Sequence, residues 1–257
     1  MAVSGNTKNS FAVIGTPQAV LGFDPLTVDS TAQRPIGFKA EDAQGNVYRY
    51  SHFGAAAGPG LVVSQDVSES SVVDTDNVIV APASAQTTSD GTLGSKYIEI
   101  TLASVSEDDY AGGKITITGG SGAGYTYGIV GNTATGDPAS GNIRLTLDGK
   151  IKSPVDASSD FAIAGPLYGN LEAASTTDFA IAGVTMARAT AGDYGWILTK
   201  GNVGILQDGV TVVGKGIKVG AVAGSVNEAT ATNDNVFGYC VVAGDDAGYC
   251  VAKINCE

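Results

Sequence analysis

Glycine keeps this chain out of helices. No window carries apolar residues at helical spacing for three turns, because a glycine interrupts nearly every candidate. Glycine supplies 36 of 257 residues, about twice its usual share of roughly 7%. What survives between the glycines has the period of a strand. Ile98, Ile100 and Leu102 alternate with Glu99 and Thr101; Ile115 and Ile117 alternate with threonines; Ile143, Leu145 and Leu147 alternate with Arg144 and Thr146. Each pattern predicts a strand with one face buried and one wet.

Turn chemistry falls between these runs. Gln44-Gly45-Asn46 precedes VYRYSHF, and Asp148-Gly149 leads from the Ile143 strand to Lys150-Ile151. Asp208-Gly209 separates Gly204–Gln207 from Val210–Val213. Asp-Gly favours the positive φ angles of a two-residue hairpin turn. Repeated strand-turn-strand units predict an all-β fold of short antiparallel strands in sandwich- or barrel-like modules. Little helix is expected, and the N-terminal arm is irregular.

Three regions follow. Residues 1–65 hold an irregular arm and a first β-module, expected to share a sheet with the C-terminal part. The polar stretch SQDVSESSVVDTDN follows Leu61-Val62-Val63, and residues 66–170 read as a Gly-rich β insertion domain. Residues 171–257 form a C-terminal β-module of apolar strands cut by glycine, holding the only tryptophan, Trp196. The arm of residues 1–35, with Pro17, Pro25 and Pro35, could drape across a neighbour as an extended segment. Two short echoes occur, DFAIAG at 160–165 and 178–183, and GYCV at 238–241 and 248–251. Neither is a sustained period, so they predict strands in similar slots rather than a solenoid.

Charge narrows the partners. Twenty-six acidic residues against 14 basic ones give a net charge of −12, the wrong sign for a nucleic-acid binder. Only 16% of residues are charged, against about 25% in ordinary domains, so Ser, Thr, Asn, Gly and Ala must cover much of the surface. The first residues, MAVSGNTKNS, lack a signal-peptide core, and no stretch approaches the roughly 20 apolar residues of a membrane span. A soluble chain made in the cytoplasm, with no membrane partner, is expected.

Candidate chemistry is sparse. His52, the only histidine, sits in an aromatic strand without an identifiable orienting partner. GGSGAG at 119–124 lacks the Lys-Ser/Thr of a phosphate loop and lies between two strands, so it reads as a flexible hairpin tip. Its Ser121 has no nucleophile-elbow spacing. The acidic runs Asp74-Thr75-Asp76-Asn77 and Glu107-Asp108-Asp109 match no calcium motif and read as solvated turns. Tyr48, Tyr50, Tyr125, Tyr127, Tyr194 and Trp196 lie on several strands, which suits core or interface better than a stacking platform. No catalytic, cofactor-binding or metal-binding residue is assigned, and the chain reads as non-enzymatic. Three cysteines do not make a disulfide framework. If Asp245 is the tip of the FGYCVVAGDDAGYCV hairpin, however, Cys240 and Cys250 face each other at a spacing near what a disulfide needs. The other reading is two small buried apolar residues.

Several segments resemble structural proteins of tailed-phage particles. NVYRYSHFGA at 46–55, followed by Gly60-Leu61-Val62-Val63, is similar to their N-terminal region. Tyr110–Gly113 through Gly122–Tyr127 resembles their middle module. AGDYGWILTKG at 191–201, followed by Asp208-Gly209 and by Gly238-Tyr239-Cys240-Val241, looks like their closing strands. The resemblance runs from about residue 40 onward and rests on the order of these motifs more than on any one. It implies a virion protein, above all a head decoration (cement) protein bound to the major capsid protein on the outer capsid surface. A homo-oligomer, with a trimer favoured, is implied, and no catalytic residues carry over. The Gly/Ala-rich start and the late cysteines depart from the pattern. Tail or fibre components and carbohydrate-binding adhesive modules are the alternatives.

Overall fold

The computed structural model describes residues 23–65, 71–74, 90–102, 105–178 and 180–257. Among them every regular element is a strand, so the protein is all-β, with antiparallel sheets. The first four strands are β1 (Val28–Asp29), β2 (Lys39–Glu41), β3 (Val47–His52) and β4 (Val62–Gln65). Then come β5 (Ser71–Asp74), β6 (Tyr97–Thr101), β7 (Lys114–Gly119), β8 (Thr126–Asn132), β9 (Asn142–Leu147) and β10 (Asp160–Ala164). The chain continues through β11 (Leu171–Ala173), β12 (Ile181–Thr185), β13 (Tyr194–Leu206) and β14 (Gly216–Val219). It closes with β15 (Val226–Glu228), β16 (Gly238–Val242) and β17 (Tyr249–Asn255).

The strands fall into two compact units. One joins the chain up to Gln65 with Tyr168–Glu257; the other is Asp66–Leu167.

The first unit is a curled sheet of eleven strands, with the path β11-β4-β12-β13-β17-β16-β14-β15 and β1, β2 and β3 branching from it. Its spine is β13, which runs unbroken through Gly195, Gly201 and Gly204, although these glycines read as breaks in the sequence. Its first half pairs with β3, setting Tyr194 opposite His52 and Trp196 opposite Tyr50. From Lys200 onward it pairs with β17. The handover falls at Gly201, whose φ of +139° disfavours any side chain. A Cβ there would also collide with the Asn46 side chain. Trp196 anchors the core beneath, edge-on to Phe23 at 4.4 Å and to Tyr50 at 5.2 Å. Fully burying rings of this size stabilises by about 1.5–3 kcal/mol each.

Phe23 belongs to this core, and β1 pairs with β13. Gln33 donates its backbone N–H to the Tyr50 hydroxyl. Residues 23–35 are therefore built into the sheet rather than part of a free arm, because Phe23 and Val28 have apolar surface to bury. The rest of the expected arm, including Pro17, lies outside the described residues.

The second unit is a six-stranded sheet of order β5-β10-β7-β8-β9-β6. Alternation places Ile98, Ile100, Ile115, Ile117, Ile143 and Leu145 in one core, each at most 1% exposed. The opposite face is less wet than the period-2 pattern predicts. Glu99 is only 4% exposed, accepting a bond from Asn142 Nδ2 and lying opposite Arg144 in the register. Arg144 bonds the buried Asp90 at 2.8 Å.

Two expected hairpins are absent, for one reason. After Asp148-Gly149 the chain does not return as a strand, and Asp148 instead accepts the Gly128 N–H. After Asp208-Gly209, residues 210–213 form no strand, and the Asp208 carboxylate accepts the N–H groups of Ala221 and Val222. In both cases the preceding strand already has neighbours on each side. β9 lies between β8 and β6, while Leu206 of β13 pairs with β17 and donates to Gly60. No edge is left for a returning strand.

Candidate functional site

The residues singled out by chemistry are occupied in packing. His52 is half-buried, with its ring 4.8 Å from that of Tyr194. Tyr48, Tyr50 and Trp196 are at most 6% exposed, so their faces are not available to a sugar ring. Burial, the Asp42 carboxylate and a hydrogen bond to it push the Tyr48 phenol up to about 12. Tyr125 is different. It is 43% exposed and stacks on Tyr127 at 6.2 Å.

The GGSGAG segment is pinned, not free. Ser121 Oγ donates to Asp156 Oδ2 at 2.8 Å, and Ser159 Oγ donates to the Ser121 carbonyl at 2.6 Å. Gly120 has φ +64° and packs so tightly on the Ser158 carbonyl that a Cβ there would overlap it. Close backbone approach, rather than flexibility, is what its glycine serves. Ser121 thus faces the Asp156 carboxylate and the Ser158 hydroxyl.

The acidic runs also use their oxygens locally. Asp108, at φ +64°, accepts the Asn132 N–H, and Asp109 accepts that of Ser106. Asp74 ends β5, and residues 75–77 lie outside the described residues. Among the described residues no group of three or more His, Cys, Asp or Glu is placed to hold a metal ion. A hollow of about 320 Å³ in the first unit is lined by Asp178, Lys218, Asn227, Asn233 and Asp234. Its carboxylates are already engaged, Asp234 by Lys218 at 2.9 Å and Asp178 by Ser64 and Ser175.

The cysteines do not face each other directly. β16 and β17 form a hairpin around Asp245, with Gly248 donating to the Asp245 carbonyl. A bulge at Val241 then shifts the register, placing Cys240 opposite Ala252, while Cys250 lies opposite Ile205 of β13. Both thiols are buried and free, and the Thr211 hydroxyl donates to Cys240 Sγ at 3.4 Å. Burial pushes the Cys250 thiol up, and pushes that of Cys256 up to about 12. Raised values make poor nucleophiles.

Two features escaped the sequence. The first is a clasp at the chain end. Arg49 grips the Glu257 carboxylate with two bonds of 2.9 and 2.8 Å, and Thr199 adds a third at 2.7 Å. The Arg49 bonds outweigh partial burial and, with Thr199, hold the Glu257 carboxyl down at about 2. Nothing in the spacing of residues 49 and 257 signals this pair. The second is an uncovered apolar face on the β16–β17 hairpin, where Tyr239, Val242 and Tyr249 are 46–57% exposed. Strand alternation was its only signal, and without the register that signal does not say which face is outward.

No protein-family model matches this chain, no curated protein matches it, and no solved structure matches it. Among the described residues no helix is long and apolar enough to cross a membrane.

Proposed function

We propose that this chain is a non-enzymatic structural protein of a tailed-phage particle that binds the outer surface of the capsid and stabilises or decorates the head. The observation that supports this reading is the pairing of β3 with β13. The two segments that carry the resemblance, YRYSHF and DYGW, lie about 140 residues apart in the chain and hydrogen-bond side by side. Their aromatic residues make the core of one unit. Motifs that specify a scaffold fit a protein that works by burying surface, and a repeated lattice multiplies modest contacts through avidity. The acidic, low-charge surface suits a partner shell better than nucleic acid.

Exposed Tyr125 stacked on Tyr127 favours a second reading, a carbohydrate-binding adhesive module. Labelled antibody against the protein, imaged on particles from the source, separates these readings. Signal over the head is expected. Signal confined to the tail moves the protein to the tail or fibre class, and particles without signal sink the proposal. Binding of the isolated protein to a glycan array, lost in Tyr125→Ala, would favour the adhesive module.

A further inference from the structure

The outer face of the β16–β17 hairpin exposes more apolar surface than a strand pair in water has reason to. The bulge between Cys240 and Val242 turns both Val241 and Val242 outward beside Tyr239. Across the ladder, Tyr249 and Val251 project from the same face, with Val251 directly opposite Val242. The loop carrying Val212 and Val213, 50% and 59% exposed, is held beside β16 by the Gly214 N–H to Cys240 carbonyl bond and its reciprocal from Cys240 to Lys215. Weighted by their exposure, the five hairpin residues offer roughly 400 Å² and the two loop valines roughly 200 Å² more, within the size range of the biggest patch on a typical monomer. The Tyr249 ring edges onto Gly60, and its hydroxyl donates to the Pro59 carbonyl, so the patch begins at that ring and runs across the valines.

The charges around this face are arranged lengthwise. Asp245 and Asp246 are exposed at the hairpin tip. At the other end Lys253 projects from the same face as Val251, opposite Tyr239, and Lys200 is exposed on neighbouring β13. Neither lysine makes an ion pair with a described residue. The order along the hairpin itself is therefore acid, apolar, base, with the exposed Lys215 alongside at the level of Cys240.

We infer that this face binds a second copy of the chain, two hairpins stacking face to face and antiparallel about a two-fold axis that crosses the strands near Val251. Such an axis lays the acidic tip of each copy over the Lys253 end of the other and the valines on each other. An axis along the strands would instead set Asp245 against Asp245. The surface is thus complementary to itself in one of the two isologous arrangements. Two such patches present up to roughly 1,200 Å² when the loop valines are included, about the 1,000 Å² that a stable interface needs. The dimer does not depend on the particle reading, and each can fail without the other.

Sedimentation of the full chain from about 1 to about 100 µM tests this, a range that spans micromolar association. A dimer is expected. Val251→Asp at the centre should weaken it by about 100-fold or more. Lys253→Glu and Asp245→Lys should each weaken it by about 5-fold or more, and the double exchange should restore it, because each reversed charge again meets its opposite. All three side chains are solvent-exposed, so unchanged circular dichroism is expected, and the charge exchange keeps the test valid should Val251→Asp misfold. A monomer throughout the range, a trimer, a Val251→Asp dimer, or no recovery in the double exchange would overturn the inference. So would a monomer whose hairpin face loses amide protection when residues 2–22 are removed, which would place the occupant within the chain.

Discussion

Glu257 shows how much one exposed-looking residue can carry. Its carboxyl, at about 2 in the folded chain, lies below the ordinary glutamate value of 4.5. A lowered folded value means that its stabilisation is fully present above pH 4.5 and is lost as pH falls from about 4.5 to about 2. The partners are about a fifth to a quarter exposed, so solvent screens the pair. Glu257→Gln should cost about 1–2 kcal/mol at pH 7 after that screening is allowed for. The difference from wild type should vanish near pH 2. Urea unfolding of both proteins at pH 7, 4 and 2 reads this directly, and an equal gap at all three values would show that charge is not what Arg49 holds.

At the scale of elements, β13 decides the first unit. It is paired by β3 over its first half and by β17 over its second, and Gly201 is the joint. Gly201→Ala puts a Cβ at φ +139° and against Asn46. The substitution should cost at least about 2 kcal/mol, more than the 0.5–1 kcal/mol swing of an ordinary Gly/Ala exchange. Chemical denaturation measures it, and a loss under about 0.5 kcal/mol would mean that the strand bends elsewhere. The alternating strands β6, β7 and β9 were legible because period-2 burial is local. The strands expected after Asp148-Gly149 and Asp208-Gly209 failed because a turn signal does not say whether a sheet edge is vacant. The same holds for the cysteine hairpin. Its tip at Asp245 was readable, but its register depends on the Val241 bulge and on β13 alongside.

For the whole molecule, the two units have separate cores. The second buries 15 apolar side chains of its own, from Ile98 to Ile163. A domain of about 100 residues with such a core is well above the size at which folding alone becomes marginal. The excised segment 66–167 should therefore fold by itself, giving a β-type far-ultraviolet spectrum and a cooperative thermal transition. A fragment that stays unfolded would show that its strands need the rest of the chain.

Local pattern was enough to show that the protein is all-β and which strands of the second unit bury which face. These follow from backbone propensity, side-chain period and residue count, all local or compositional quantities. Pairing between distant strands, and nothing shorter, makes β13 run through its glycines, brings residues 23–35 into the sheet, sets Cys240 opposite Ala252, gives Glu257 to Arg49 and leaves a hairpin face exposed. Each depends on which strand lies beside which. That is set by competition among many residues for the same edge and the same core, and no short window of sequence contains the competitors.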